Sequence, residues 1–237
     1  MHFLVGLDDL NKYKIEDHLD LLLQSFHKYK ITYDNKSIKL VLCFPDDFQI
    51  PKKYLKYNIF YFKKKSGNYF YRNAYYMIDY MDYLDKNNIV KDICIFEPDM
   101  IFIKDFDIPK INDINIWFET DFYKKDPILK LQNWIAKKEN INYKYKYVWS
   151  GILIPKHKFY IFRRTFKQAK VLYNKYSKII DKYIKVSTEE IVLNKNLEQP
   201  IFNKFIAYNT YRDSENIFML HSKNIDLKRK YIEYKRD

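Results

Sequence analysis

Glycine, cysteine and long apolar runs are all scarce in this chain, and each scarcity restricts what the protein can be. Among 237 residues there are three glycines and two cysteines. Both Cys43 and Cys94 lie inside apolar runs, which predicts buried free thiols and a reducing compartment. No run approaches the roughly 18 apolar residues of a membrane span. The stretch from Met1 to Gly6 lacks the charged start and long apolar core of a signal peptide, so we expect a cytoplasmic protein.

The chain has the apolar content of a folded protein and a strong positive charge. Hydrophobic residues make up 47% of the chain and aromatic residues 19%, which excludes a disordered protein. The length suits one sizeable α/β domain. The formal net charge of +13 attracts anions of any kind, whether nucleic acid, anionic membranes or phosphorylated small molecules, and does not choose among them.

The most informative stretch is an apolar run that stops at two carboxylates. Ile93 to Phe96 is short, rich in isoleucine and bounded by polar residues, which predicts a buried strand. Pro98 cannot donate to a central ladder, so the strand ends there. Glu97 and Asp99 are thereby left at the carboxyl end of a central strand, where open α/β sheets bind ligands. Two such oxygen ligands suit a hard divalent cation on a phosphate-bearing substrate; the alternative is an acidic turn without a ligand.

The order of elements predicts an α/β fold with a mainly parallel, Rossmann-like central sheet flanked by helices. We expect a single domain over residues 1–237, with a nucleotide-binding half at 1–105 and an acceptor-side half at 106–237. The first strand and the Ile93–Phe96 strand should be close in the sheet. The predicted strands cover 3–6, 39–44, 58–62, 93–96, 115–118, 147–155, 203–208 and 218–221, and the predicted helices begin near 15, 67, 159 and 187, with a short helix inside 123–146.

The few glycines indicate positions where a side chain would not fit or where φ is positive. Gly6 ends the first strand, Gly67 precedes the helix that carries Arg72, and Gly151 lies inside an otherwise bulky strand. A ligand approaching the backbone is one reason for each glycine, and a bulge or tight turn is the other.

Several segments, taken together and in order, resemble the GT-A fold nucleotide-sugar glycosyltransferases of the D-x-D type, closest in pattern to the glycogenin-like and galactosyltransferase branch. Glu97-Pro98-Asp99 is similar to the D-x-D motif, with Glu in place of the first Asp. The other matching segments are Tyr71-Arg72-Asn73-Ala74, Trp149-Ser150-Gly151-Ile152-Leu153-Ile154, Thr188-Glu189-Glu190-Ile191-Val192-Leu193-Asn194 and Leu220-His221-Ser222.

This resemblance implies a set of ligands and site residues. The donor would be a nucleoside-diphosphate sugar, with a preference for a UDP-sugar, and the acceptor a hydroxyl of a carbohydrate, a glycosylated molecule or a protein. The cofactor would be Mn²⁺ (or Mg²⁺), held by Glu97, Asp99 and His221. The expected donor-binding residues are Gly6, Asp8, Asp9, Arg72, Pro98, Ser150, Gly151 and Lys223.

Structural roles remain open for several of these side chains. Arg72 could form a surface salt bridge to Asp79 or to another carboxylate on or near its helix, and Asp8 and Asp9 could cap the first helix. His221 could be a neutral core histidine.

The two expected catalytic residues, Glu189 and Glu190, follow Ser187. A capping box between Ser187 and Glu190 would account for Glu190 structurally. Glu189 is thus the freer carboxylate, and an inverting reaction would need it as a general base.

Two other functions are compatible with the sequence. A nucleic-acid-binding protein would explain the charge and the many aromatic residues. However, the lysines are spread along the chain rather than gathered in one stripe, so we expect no specific nucleic-acid partner. A metal-dependent phosphohydrolase would also use carboxylates at strand ends, with more Asp and His ligands than the sequence offers.

Overall fold

The computed structural model describes residues 1–7, 15–63, 69–119, 127–142, 149–180, 182, 191–192, 195–196, 201–208 and 217–233, with the backbone alone for 69–75, 117–119, 127–129, 149–150 and 201–208. The strands are β1 His2–Gly6, β2 Ile31–Tyr33, β3 Lys36–Ser37, β4 Lys39–Pro45, β5 Asn58–Phe62, β6 Ile93–Phe96, β7 Met100–Phe102, β8 Phe106–Ile108, β9 Asn115–Glu119, β10 Trp149–Ile154, β11 Ile201–Tyr208 and β12 Met219–His221. The helices are α1 Ile15–Lys28, α2 Tyr69–Lys86, α3 Pro127–Lys138, α4 Phe159–Ile180 and α5 Ile225–Glu233.

A nine-stranded central sheet runs in the order β5-β4-β1-β6-β10-β9-β11-β12-β7. Strands β5, β4, β1 and β6 pair in parallel, β10 is antiparallel to both its neighbours, and β9, β11 and β12 are again parallel. The antiparallel β7 closes the far edge against β12. This arrangement confirms the predicted mainly parallel α/β sheet, and it contains strands from both halves of the chain.

Each face of the sheet is covered by helices, because residues along the buried strands alternate between two cores. In β1, Phe3 and Val5 pack with Leu19 and Leu22 of α1, whereas Leu4 packs on the opposite face with α2 and α4. Strands buried on both sides are typical of parallel sheets. The two cysteines lie in these cores as free thiols, Cys94 on the α1 face and Cys43 on the other, as predicted.

Asparagine and aspartate take left-handed positions that glycine usually fills. Asn88, two residues beyond the end of α2, has a φ of 54°, and the Ile89 N–H donates to the Leu84 carbonyl at 2.8 Å. Helix α3 ends in the same way, with the Ile141 N–H donating to the Ala136 carbonyl at 2.8 Å. The low glycine count therefore does not prevent tight helix ends, because asparagine tolerates this conformation at modest cost.

Two features were not predicted from the sequence. Strands β2, β3 and β8 form a separate three-stranded sheet; each has only two or three residues, too few to show an alternating pattern. Helix α5 occupies a segment that the sequence presents as a basic tail, and it begins with a cap in which the Leu227 N–H donates to Asn224 Oδ1 at 3.0 Å.

Within the part of the chain that the structure describes, no helix is both long enough and apolar enough to span a membrane.

Candidate metal and nucleotide site

The two predicted carboxylates lie on a tight turn at the carboxyl end of β6. The Met100 N–H donates to the Glu97 carbonyl at 3.3 Å, and β7 begins immediately at Met100. Strand β1 pairs with β6 in parallel, Val5 opposite Phe96, so the ends of both strands reach the same edge. The side chain of Asp99 is 19% exposed, whereas that of Glu97 is 50% exposed. Asp99 is therefore the more desolvated of the two carboxylates.

His221 lies beside this turn because of the way that β12 and β7 pair at the far edge of the sheet. Strand β12 runs antiparallel to β7, with His221 opposite Met100, and the Ser222 N–H donates to the Asp99 carbonyl at 3.3 Å. The His221 Nε2 atom then lies 3.1 Å from Asp99 Oδ2 and 3.4 Å from Glu97 Oε2. The histidine is 8% exposed, but its partners are the two carboxylates rather than the apolar core.

The donor atoms of these three residues fit a divalent cation. One ligand atom from each of Glu97, Asp99 and His221 lies within 4.8 Å of the others. Asp99 Oδ1 is buried and accepts no hydrogen bond from the described residues, an arrangement that normally costs stability unless a further partner binds. Two hard oxygens with one imidazole nitrogen form a ligand set that Mn²⁺ accepts readily and Mg²⁺ accepts less well.

A buried lysine that the sequence analysis did not assign lies directly behind the turn. Lys228, on α5, has no exposed surface; its Nζ donates to the Asp99 carbonyl at 2.6 Å and to His18 Nδ1 at 2.7 Å. Burial lowers the pKa of Lys228 to about 8, opposed by the negative charge of Asp99. Lys228 is therefore mostly charged at neutral pH. The run Lys228-Arg229-Lys230 belongs to a packed helix.

The charges around Asp99 keep it ionised. Burial by itself would raise the pKa of Asp99, but His221 and Lys228 outweigh burial and hold it at about 2. His18 is kept neutral near pH 7, because burial and the adjacent Lys228 lower its pKa to about 4. The centre thus offers the ionised carboxylate of Asp99 to a cation, with the positive charge of Lys228 behind it.

Of the predicted donor-binding residues, Lys223 lines a polar cavity of about 390 Å³ between α1 and the start of α5, together with Asp17, Asn224, Asp226 and Arg229. Pro98 lies between the two carboxylates of the turn. Gly6 ends β1 at the same edge of the sheet.

The two glycines of the described strands have identifiable structural reasons. A Cβ atom on Gly6 would lie 2.2 Å from Cε1 of Tyr76. The space beside Gly6 is therefore filled by the Tyr76 ring of α2. Gly151 lies opposite Phe96, and the register of β10 shifts between Trp149 and Gly151. A bulge therefore accompanies Gly151.

The remaining predicted residues have little or no described side-chain structure. Arg72 lies in the first turn of α2 and Ser150 in β10, both with the backbone alone. Asp8, Asp9, Gly67, Glu189 and Glu190 lie outside the described residues.

Comparisons with known proteins identify the class of fold. The chain has the α/β fold of the GT-A glycosyltransferases. The similar solved structures include the galactosyltransferase LgtC in complex with donor and acceptor sugar analogues, with a TM-score of 0.60, 9% identity, and coverage of 100% of this chain and 97% of that one. Another is the apo structure of the bifunctional glycosyltransferase WbbM, with a TM-score of 0.57, 11% identity, and coverage of 98% of this chain and 49% of that one. No protein-family model and no curated protein matches the sequence.

Proposed function

We propose that this protein is a metal-dependent glycosyltransferase that moves a sugar from a nucleoside-diphosphate sugar, with a UDP-sugar as the preferred donor, to an acceptor hydroxyl. The observation that carries the proposal is the convergence of Glu97, Asp99 and His221 within 4.8 Å at the carboxyl end of β6. The fold shared with LgtC and WbbM supports the reaction class.

Each residue of the centre has a role that follows from its position. Asp99 and Glu97 would hold Mn²⁺ from the turn, and His221 would hold it from β12. When bound, the cation supplies positive charge that stabilises the leaving diphosphate without a proton transfer. In the absence of a cation, the two carboxylates would repel a diphosphate. Lys228 would keep Asp99 ionised and fix the backbone of the turn through the Asp99 carbonyl.

The donor and acceptor would be held by residues around this centre. Lys223, beside the polar cavity, and Arg72 would attract the diphosphate, for which a guanidinium fork is well suited. Asp8, Asp9, Ser150 and the backbone at Gly6 and Gly151 remain proposed donor contacts. Glu189 is the proposed general base if the reaction inverts configuration, and Glu190 is the second catalytic candidate. The acceptor is a carbohydrate, a glycosylated molecule or a protein.

The proposal is tested by following the products from a panel of nucleotide sugars. Donors that raise the melting temperature in the presence of Mn²⁺ are selected first, because binding to the native state stabilises it. Each selected donor is then incubated with the protein, Mn²⁺ and simple sugar acceptors, and the released nucleotide is identified. A glycosyltransferase releases an intact nucleoside diphosphate, and Asp99→Asn should remove this release.

Two outcomes would contradict the proposal. The first is that no nucleotide sugar shifts the melting temperature with Mn²⁺. The second is release of inorganic phosphate or a nucleoside monophosphate, which would identify a phosphohydrolase instead.

A further inference from the structure

The positive charge of the chain is concentrated in one region. Residues 127–180 contain thirteen lysines and arginines and a single acidic residue, Glu139, and thus account for +12 of the net +13. Lysines occur throughout the chain, but outside this region acidic residues balance them. The net charge therefore belongs to α3, α4 and the connections on either side of β10.

Helix α4 presents this charge on one outward face. Its 22 residues contain no acidic residue, and they extend over about 33 Å. The inner face is buried through Phe162, Ala169 and Leu172. The outward face carries Arg164, Lys167, Lys170 and Lys178, all of them exposed. These four residues, together with Tyr160, Val171 and Ile179, are called the α4 face below.

The neighbouring helices leave the charge of this face unneutralised. On one side, Arg163 pairs with Asp82 and Asp85 of α2. On the other side, Lys175 pairs with Glu139, one residue beyond α3, at 2.6 Å. Among the described residues, no carboxylate forms an ion pair with the four cations of the α4 face.

Large apolar side chains are exposed among these cations. Val171 is 69% exposed, Tyr160 is 60% exposed and Ile179 is 37% exposed. On the adjoining α3, Trp134 is 42% exposed, packs edge-on against Tyr176 and lies under Lys138. Half of the eight large hydrophobic residues that are exposed in the described chain lie on these two helices, so the apolar exposure coincides with the charge.

We infer that the α4 face, with Trp134 beside it, docks on an anionic lipid surface. Lysines near a membrane of acidic lipids are attracted by its negative potential. Tyrosine, tryptophan and aliphatic side chains gain free energy by entering the headgroup region. A nucleic acid would attract the same cations and would find rings to stack on in Tyr160 and Trp134, but Val171 and Ile179 have no ring and would contribute nothing to it. The combination of aliphatic residues with cations that have no ion-pair partner among the described residues therefore favours lipid.

Helix α4 would lie on the membrane surface and would not insert into the bilayer, because its inner side is buried in the core of the protein. Binding would lay the helix along the membrane plane and would be reversible and sensitive to salt. This inference does not depend on the proposed enzymatic function.

The test is co-sedimentation of the full chain with vesicles of phosphatidylcholine, with and without phosphatidylglycerol. We expect binding only to the vesicles that contain phosphatidylglycerol, and weaker binding as salt rises. The variant Arg164→Gln, Lys167→Gln, Lys170→Gln, Lys178→Gln should lose at least about 30-fold in affinity. A matched control removes the same charge from exposed lysines on other surfaces, as Lys36→Gln, Lys52→Gln, Lys56→Gln, Lys110→Gln, and should lose less than about threefold.

A second variant separates lipid from other polyanions. Val171→Ser with Ile179→Ser should weaken vesicle binding by roughly threefold or more without changing binding to a single-stranded oligonucleotide. All substituted positions are exposed, and thermal melting checks that each variant folds. The inference is overturned if the unaltered protein does not bind anionic vesicles, if the two lysine variants weaken binding equally, or if the apolar variant binds vesicles as the unaltered protein does.

Discussion

The two carboxylates of the acidic turn offer a matched pair of substitutions that differ in burial. Asp99→Asn and Glu97→Gln each replace one oxygen ligand with a neutral amide of the same shape. The Asp99 side chain is 19% exposed and lies 3.1 Å from His221, whereas Glu97 is 50% exposed. Solvent can replace the lost ligand at the exposed position but not at the buried one. We therefore expect the two variants to have unequal effects on Mn²⁺ binding.

The magnitudes follow from this environment. Loss of a supporting residue behind a metal ligand typically costs about 10- to 100-fold in affinity. Loss of the buried ligand itself in Asp99→Asn should therefore cost at least about 100-fold, and Glu97→Gln about 10-fold or less.

Asp99→Asn should also lower stability. The pKa of Asp99 is held at about 2, below its ordinary 3.8. A lowered carboxyl pKa stabilises the protein above the unfolded value, and this stabilisation is lost as the pH falls through the folded value. The metal-free variant should therefore lose roughly 2 kcal/mol at pH 7.

The assay is titration with Mn²⁺, in which the free ion is followed by electron paramagnetic resonance, with urea unfolding of the same samples in chelator. Equal loss of Mn²⁺ affinity in the two variants would refute the argument from burial. Unchanged affinity in Asp99→Asn would remove the turn from the metal site.

Three further predictions address the surroundings of the site. His221→Ala should lower Mn²⁺ affinity by more than about tenfold, measured in the same titration; a large loss of metal-free stability with unchanged affinity would instead indicate a core histidine. Gly6→Ala should destabilise the protein by roughly 1–3 kcal/mol in urea unfolding, since the new Cβ would lie 2.2 Å from the buried Tyr76 ring; unchanged stability would show that the ring moves freely. Burial lowers the pKa of His2 to about 4, so the unfolded chain binds more protons between that value and the ordinary 6.5. Stability should then fall by about 2 kcal/mol per such histidine from pH 7 to pH 5, and His2→Asn should reduce this fall.

The sequence was sufficient to predict the acidic turn because local chemistry determines it. A buried isoleucine-rich strand, a proline that ends pairing and two flanking carboxylates all lie within a few residues. Its closeness to the first strand was an expectation, and the β1–β6 pairing confirms it. Because β1 and β6 are parallel, their carboxyl ends lie at the same edge of the sheet, where α/β folds bind ligands.

Other parts of the site depend on long-range contacts that a sequence does not display. The position of His221 depends on the pairing of β12 with β7, two strands of three residues each. Lys228 is fully buried, which is rare for lysine. It contacts Asp99, which is 129 positions away in the sequence, and His18, which is 210 positions away. Such a placement cannot be inferred from a basic run, since runs of that kind usually face solvent.

Two of the features that were not predicted are marked in the sequence by only one or two residues each. The β2–β3 connection is Asp34-Asn35, and both residues have positive φ, 53° and 57°, as a tight two-residue hairpin turn requires. Asn224 ahead of an acidic first turn marks the start of α5. These positions identify asparagine and aspartate as the turn signals of a chain that has few glycines.

Calorimetric titration of the unaltered protein with UDP, in Mn²⁺ and in excess chelator, tests the metal centre itself. The two carboxylates repel a diphosphate unless a cation lies between them, so we expect binding that is at least about 100-fold tighter with Mn²⁺. Equal affinity for UDP in the two buffers would contradict the metal centre formed by Glu97, Asp99 and His221.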